Sequence, residues 1–187
     1  MNKTIILFFT MLLLVLTPSC SENHYSPKTP THCEFKPKQV KPQQQLSDYR
    51  IKIPLGWDAN KKKVFNEETG LTRELIASGN QFLGKLPPVL TVISMPLRGA
   101  TPEDFAGGMI LALNQKELRI IRADVVKVDE QFATTVAYLS EDDLLILQLN
   151  VASKTKGFIV ACAGDPQYGH ELIEVCVKIL NTFHLNR

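Results

Sequence analysis

The sequence predicts an α+β fold, an antiparallel sheet with two helices packed on it. Three observations predict it. Residues 120–163 hold four apolar, β-branched stretches separated by short polar turns, the spacing of an antiparallel meander. Two segments, Thr101-Pro102-Glu103-Asp104 and Asp165-Pro166, each join a capping side chain to a proline, which is how helices start. The 187-residue chain is 44% hydrophobic and 21% charged with a net charge of +2, the balance of a globular protein with no basic stripe for nucleic acid.

Taken in order, the chain begins with a segment that reads as a sorting signal. Lys3 precedes an apolar run at residues 5–16, shorter than the roughly 20 residues that span a bilayer. The small residues Thr17 and Ser19 follow. Charge, apolar run and small residues in that order mark residues 1–19 as a secretory signal. Cys20 comes next, and its setting resembles the lipobox of bacterial lipoproteins, in which a diacylglycerol joins the cysteine that becomes the new N-terminus. Ser19 fits that pattern; Thr17 and Pro18 depart from it. Lipidation at Cys20 is the expectation, with a soluble secreted protein as the alternative. The acyl chains would contribute about 0.8 kcal/mol per buried CH₂ to anchoring. Ser21, rather than Asp, follows the cysteine, which in lipoproteins resembling this one favours the outer membrane. The expected location is therefore the outer membrane, lipid-anchored, with the domain facing the periplasm.

Residues 20–45 read as a tether. They hold Pro27, Pro30, Pro37 and Pro42, four lysines and a glutamine run, with no hydrophobic period from which to build a core. At about 3.1 Å per residue, a proline-rich segment of this length reaches some 70–80 Å. A single domain, residues 46–187, follows.

Within that domain, Tyr49, Ile51 and Ile53 alternate with Arg50 and Lys52, as in a half-buried strand. Pro54-Leu55-Gly56-Trp57 ends it in a turn. Residues 63–66 and 71–78 read as strands, 79–88 as a loop, and 89–95 as a β-branched strand stopped by Pro96. A helix starts at Thr101 and runs to about residue 118. Strands follow at 120–128, 132–139, 144–151 and 158–163, with turns near Asp129-Glu130, Glu141-Asp142-Asp143 and residues 154–157. A closing helix reaches about residue 181, with Leu172, Cys176, Ile179 and Leu180 on one face.

Local motifs add a family likeness. Tyr49-Arg50-Ile51-Lys52-Ile53-Pro54-Leu55-Gly56-Trp57 opens the domain, Thr91-Val92-Ile93-Ser94-Met95-Pro96-Leu97 precedes the first helix, and Ile179-Leu180-Asn181-Thr182-Phe183-His184-Leu185 closes it. Residues 46–187 thereby resemble the Mog1/PsbP/DcrB-like superfamily, with its strand–Pro-x-Gly-Trp opening and its helix–Asn-Ser-Phe-x-Leu ending. The resemblance implies an antiparallel sheet sandwiched by helices, an α/β/α arrangement. Members serve as a nuclear-transport cofactor, an extrinsic photosystem subunit and bacterial envelope lipoproteins. The implied theme is docking on a larger assembly without catalysis, and no shared active-site motif carries over.

Candidate chemistry in the residues themselves is sparse. His24, His32, His170 and His184 have no zinc-like spacing to one another or to a cysteine pair, so no metal or cofactor is expected. No Ser-His-Asp or Cys-His set can be assembled from the spacing. Glu141-Asp142-Asp143 and Lys61-Lys62-Lys63 read as solvated turns. Trp57 reads as a packing residue. Cys162 ends a strand and Cys176 faces inward on the following helix, which allows a disulfide or two buried thiols. Cys33 is left over in the tether. The helix after Thr101 is apolar around most of its circumference, through Phe105, Met109, Ile110, Leu111, Ala112 and Leu113, with Gly107 and Gly108 inside it. That pattern suits either a docking face for a partner chain or a helix buried on two sides. The expected function is a non-enzymatic accessory subunit of an envelope assembly for secretion or transport, held to the membrane by its lipid. A binding module for a small ligand or lipid is the alternative.

Overall fold

A computed structural model describes residues 44–45, 48–80 and 86–186. Two sheets and two helices make up this part. The strands are β1 (Gln44–Gln45), β2 (Tyr49–Ile51), β3 (Asp58–Asn60), β4 (Val64–Asn66), β5 (Leu71–Ser78), β6 (Val89–Pro96), β7 (Arg119–Val128), β8 (Gln131–Leu139), β9 (Leu145–Ala152), β10 (Lys156–Gly164) and β11 (His184–Leu185). Helix α1 spans Pro102–Gln115 and α2 spans Gly169–Leu180. The main sheet runs β3-β5-β6-β10-β9-β8-β7, with β4 paired to the free part of β5, and every pairing is antiparallel. A small second sheet runs β1-β2-β11.

The four meander strands and both helices stand where the sequence puts them. Sequence reading misses three things. The short strand β3 follows the Gly56 turn, where φ is +81° and glycine is the residue that adopts it freely. The closing strand β11 is two residues long, too short for any period to show. Gln44–Gln45, at the end of the expected tether, already pairs with Arg50–Ile51, so the folded unit starts before residue 46.

Strand β10 lies in the middle of the sheet and is buried on both faces, which explains its continuous apolar run. Its alternate residues feed two cores. Phe158, Val160 and Cys162 face one way, with Leu172, Cys176, Ile179 and Leu180 of α2 and with Tyr49, Ile51 and Phe183 of the small-sheet region. Ile159, Ala161 and Ala163 face the other, with Phe105 and Leu113 of α1. The helices therefore cover opposite faces, and the fold is an α/β/α sandwich.

Two glycines of β10 set how closely each helix sits. A Cβ on Gly157 would lie 2.4–2.7 Å from the Phe105 ring, and a Cβ on Gly164 would lie 2.9 Å from Leu172. Each helix thus drops its first large apolar side chain onto bare backbone, one from each side. Helix α1 starts with a reciprocal capping box: Thr101 Oγ1 accepts from the Asp104 N–H at 3.1 Å, and the Asp104 carboxylate accepts from the Thr101 N–H at 3.2 Å. It stops at Gln115, short of the expected residue 118, because Glu117 turns to φ +56° and frees Leu118 for the core. Before α2, Asp165 caps a 3₁₀ turn at Pro166–Tyr168 that leads into the helix.

The opening and closing motifs are far apart in sequence and meet in space. Tyr49 stacks on Phe183 with ring centroids 5.2 Å apart, and Phe158 closes the cluster at 5.5 and 5.9 Å. Strand β11 pairs with β2, seating the C-terminal segment against the start of the domain.

Candidate functional site

The candidate docking residues divide into those α1 buries and those it presents. Phe105 is buried against Gly157 and cannot belong to an outward face, which corrects its place in the expected docking set. Met109 and Ile110 are half-buried at the core margin. Leu111 is 63% exposed, so α1 covers the sheet with one face and is not buried on two sides. Among the described residues nothing packs close on Gly107 or Gly108: a methyl group on either would meet nothing within 4 Å.

Beneath α1 the sheet is polar where a core is ordinarily apolar. Tyr138 Oη donates to Gln148 Oε1 at 3.0 Å, Gln148 Nε2 to Asn150 Oδ1 at 2.6 Å, and Asn150 Nδ2 to Thr134 Oγ1 at 3.2 Å. Thr134 Oγ1 then donates to the Ala106 carbonyl of α1 at 3.2 Å. The series runs across β8 and β9 and ends on the helix backbone. Burial raises the Tyr138 hydroxyl well above the usual tyrosine range, so it remains a donor. A satisfied network of this kind fixes where α1 sits.

Strand β7 forms one edge of the main sheet, and none of its ten residues is fully buried. Ile121 is 56% and Val125 66% exposed. Val125 stands opposite Thr134, whose hydroxyl reaches α1, so Val125 lies on the α1 side of the sheet. A bulge between Ile120 and Arg122 gives β7 one extra residue there. Arg122 Nε pairs with Asp124 Oδ2 at 2.6 Å across one intervening residue.

At its far end β7 turns into β8 through Asp129-Glu130, both at positive φ (+47° and +67°). Two non-glycine residues there cost about 1–2 kcal/mol each. Asp129 is held by three groups. Its Oδ2 accepts from the Leu185 N–H at 2.7 Å and its Oδ1 lies 3.0 Å from His184 Nδ1, with Arg50 nearby. Burial raises its carboxyl, but the hydrogen bonds to His184 and Leu185 and the charges of His184 and Arg50 outweigh that and hold it below the usual aspartate range. This Asp–His pair gives no sign of itself in the sequence, because its members lie 55 residues apart. Through His184 Nδ1 and the Leu185 N–H, Asp129 clamps β11 to the β7–β8 turn.

Two small cavities of about 200 and 220 Å³ flank this clamp. The first lies between the β7–β8 end and α2, with Val126, Val128, Leu149, Leu180 and Phe183 in its walls. The second is polar, lined by Arg50, Lys52, Asn181, Thr182 and His184. A wider groove of about 550 Å³ holds Asp48, Asp129, Glu130 and Lys154 with one apolar wall residue, Leu185.

Cys162 and Cys176 are joined by a disulfide that ties α2 to β10. Lys63, read from sequence as part of a solvated turn, instead reaches a buried carboxylate: its Nζ lies 2.7 Å from Glu74 Oε2, while Ser94 Oγ donates to Glu74 Oε1 at 2.7 Å. Tyr49 Oη, buried beside this group without a hydrogen-bond partner, is raised far above the usual range by burial and by the Glu74 and Asp48 charges. Trp57 packs against the α2-side core. Glu141, Asp142 and Asp143 are exposed on the β8–β9 turn, and His170 is exposed on α2. Cys20, Cys33, His24 and His32 lie outside the described residues. Among the described residues no His, Cys, Asp or Glu cluster could hold a metal ion, and no helix is long and apolar enough to cross a membrane.

No family model and no curated protein matches the chain. Solved structures do. The solution structure of cyanobacterial PsbP (CyanoP) from Synechocystis sp. PCC 6803 aligns with a TM-score of 0.56 at 15% identity, over 83% of this chain and 98% of that one. A crystal structure of a protein of unknown function from Pseudomonas aeruginosa, PA94, described as a putative regulator, aligns at 0.45 and 14% identity over 70% of this chain and 88% of that one. The expected fold is borne out: the chain has a PsbP-like fold.

Proposed function

We propose that this PsbP-like chain is an exported, non-catalytic lipoprotein that docks as an accessory subunit on a multiprotein assembly of the cell envelope. The observation that carries the reading is the open β7 edge, where Ile121 and Val125 stand exposed on a long strand with no neighbour on its outer side among the described residues. Single exposed apolar side chains are ordinary; an unpaired apolar strand edge is a liability that folds usually hide. The Cys162–Cys176 disulfide suits an oxidising compartment. In this reading residues 1–19 direct export, Cys20 carries the lipid, and the segment after it holds the domain away from the outer membrane.

The alternative, a binding module for a small ligand or lipid, calls for a mostly apolar cleft of about 300–1,000 Å³. The cavity beside α2 is smaller, at about 200 Å³, and the groove of about 550 Å³ has Leu185 as the one apolar residue in its walls. Docking is therefore favoured. Mild extraction of the native protein from its membranes, followed by sizing and pulldown, tests it. Co-migration with envelope proteins is expected, together with release from the membrane by Cys20→Ser. A protein that runs as a free monomer and retains no partner would refute the reading.

A further inference from the structure

Resting on that docking reading, we infer that β7 receives its partner by strand addition, and that the incoming segment is an extended, net-acidic stretch of another protein that also carries apolar side chains. The two sheet edges differ in a way that points to β7. The opposite edge is broken into β3 and β4, three residues each, pairing with separate parts of β5. Short interrupted edges make poor templates. Strand β7 is ten residues long and continuous apart from its bulge, with one side of its backbone unpaired among the described residues. Such a row supplies the main-chain bonds of β-augmentation, and alternate side chains supply the selectivity. Ile121 and Val125, exposed on the same strand, offer the apolar contacts.

Charge decides the occupant. Strand β7 carries Arg119, Arg122 and Lys127 against a single acid, Asp124. Arg122 is taken up by Asp124 at 2.6 Å, while Lys127 has only the exposed Glu130 at 4.0 Å. The edge therefore presents uncompensated positive charge. A second copy of this chain fits poorly. Two copies joined edge to edge through β7 would bring Arg119, Arg122 and Lys127 of one strand alongside the same three residues of the other, with only Asp124 on each to offset them. Each strand would meet its own excess charge, and like charges brought together across a strand pair destabilise it. An acidic segment turns the same residues from a barrier into an attraction, which also supplies specificity.

The test places a photo-cross-linking amino acid at Val125, at Ile121 and, for comparison, at Leu111 in the full chain within the producing cells. The cross-linked peptides are then mapped by mass spectrometry. Val125 and Ile121 are expected to capture an extended, net-acidic segment of another protein that includes apolar residues. Arg119→Glu with Lys127→Glu, both at exposed positions, should lower the Val125 product at least tenfold while leaving the melting curve unchanged. Strand addition is overturned if Val125 captures the same chain, if the captured segment carries no net negative charge, or if the charge reversal leaves the yield intact. Cross-links from Leu111 alone would also overturn it while the docking reading stood. Silence at all three positions would remove both.

Discussion

Gly157→Ala gives the most direct test of how α1 is seated. The added methyl would sit 2.4 Å from Phe105 Cε2, 2.6 Å from Cζ and 2.7 Å from Cδ2. Carbon atoms in contact rest at about 3.5–4.0 Å, so the ring must retreat by roughly 1 Å. It cannot swing into solvent cheaply, because Phe105 is only 7% exposed and sits in the first turn of a helix fixed by its capping box. The helix start must lift, or the ring must leave its rotamer. Overpacking of this kind costs about 1–3 kcal/mol, and contact with three ring atoms puts the expectation near the upper end. Urea unfolding measures the cost. The decisive comparison is a double-mutant cycle with Phe105→Leu, which alone loses apolar contacts and destabilises. In the Gly157→Ala background it removes the clash, so the pair should recover at least about 1 kcal/mol relative to the sum of the single changes. Additivity within about 0.3–0.5 kcal/mol would show that ring and glycine do not meet, and would refute the seating of α1 described here.

Replacing both Cys162 and Cys176 with alanine removes a link across 14 residues and should cost about 3 kcal/mol by the chain-entropy relation, read as a lower urea midpoint that reductant no longer affects. Lys63→Met leaves the Glu74 carboxylate with Ser94 alone and should cost about 1–2 kcal/mol, the lysine being half exposed; adding Glu74→Gln should restore most of it, since the uncompensated buried charge is then gone. Asp129 stabilises the fold as a carboxylate with a depressed pKa. Its contribution of about 1 kcal/mol is present above the ordinary aspartate range near pH 4 and is lost as pH falls through its lower folded value, so Asp129→Asn should destabilise at pH 7 and flatten the acid limb of a stability–pH curve. An unchanged acid limb would count against the clamp on β11.

Local signals carried a large part of this protein. Apolar, β-branched runs between short polar turns marked the meander strands, because strands packed on a core bury one or both faces, and the start signals at Thr101-Pro102 and Asp165-Pro166 fixed the helices because unsatisfied N–H groups at a helix end need an acceptor nearby in sequence. The inward face of α2 followed from helical spacing alone. What the sequence could not show depends on partners distant along the chain. Phe105 looks like any apolar residue of a greasy helix; only the bare backbone of Gly157 beneath it turns it inward. Lys63 looks solvated until the fold brings Glu74 within 2.7 Å, and His184 looks idle until the β7–β8 turn brings Asp129 within 3.0 Å. The exposure of β7 is of the same kind. Its ten residues mix apolar and charged side chains as a half-buried strand does, and nothing in them says that no other described strand covers its edge. Hydrophobic period records which faces need burial, while the order of strands in space decides which backbone edge is left open.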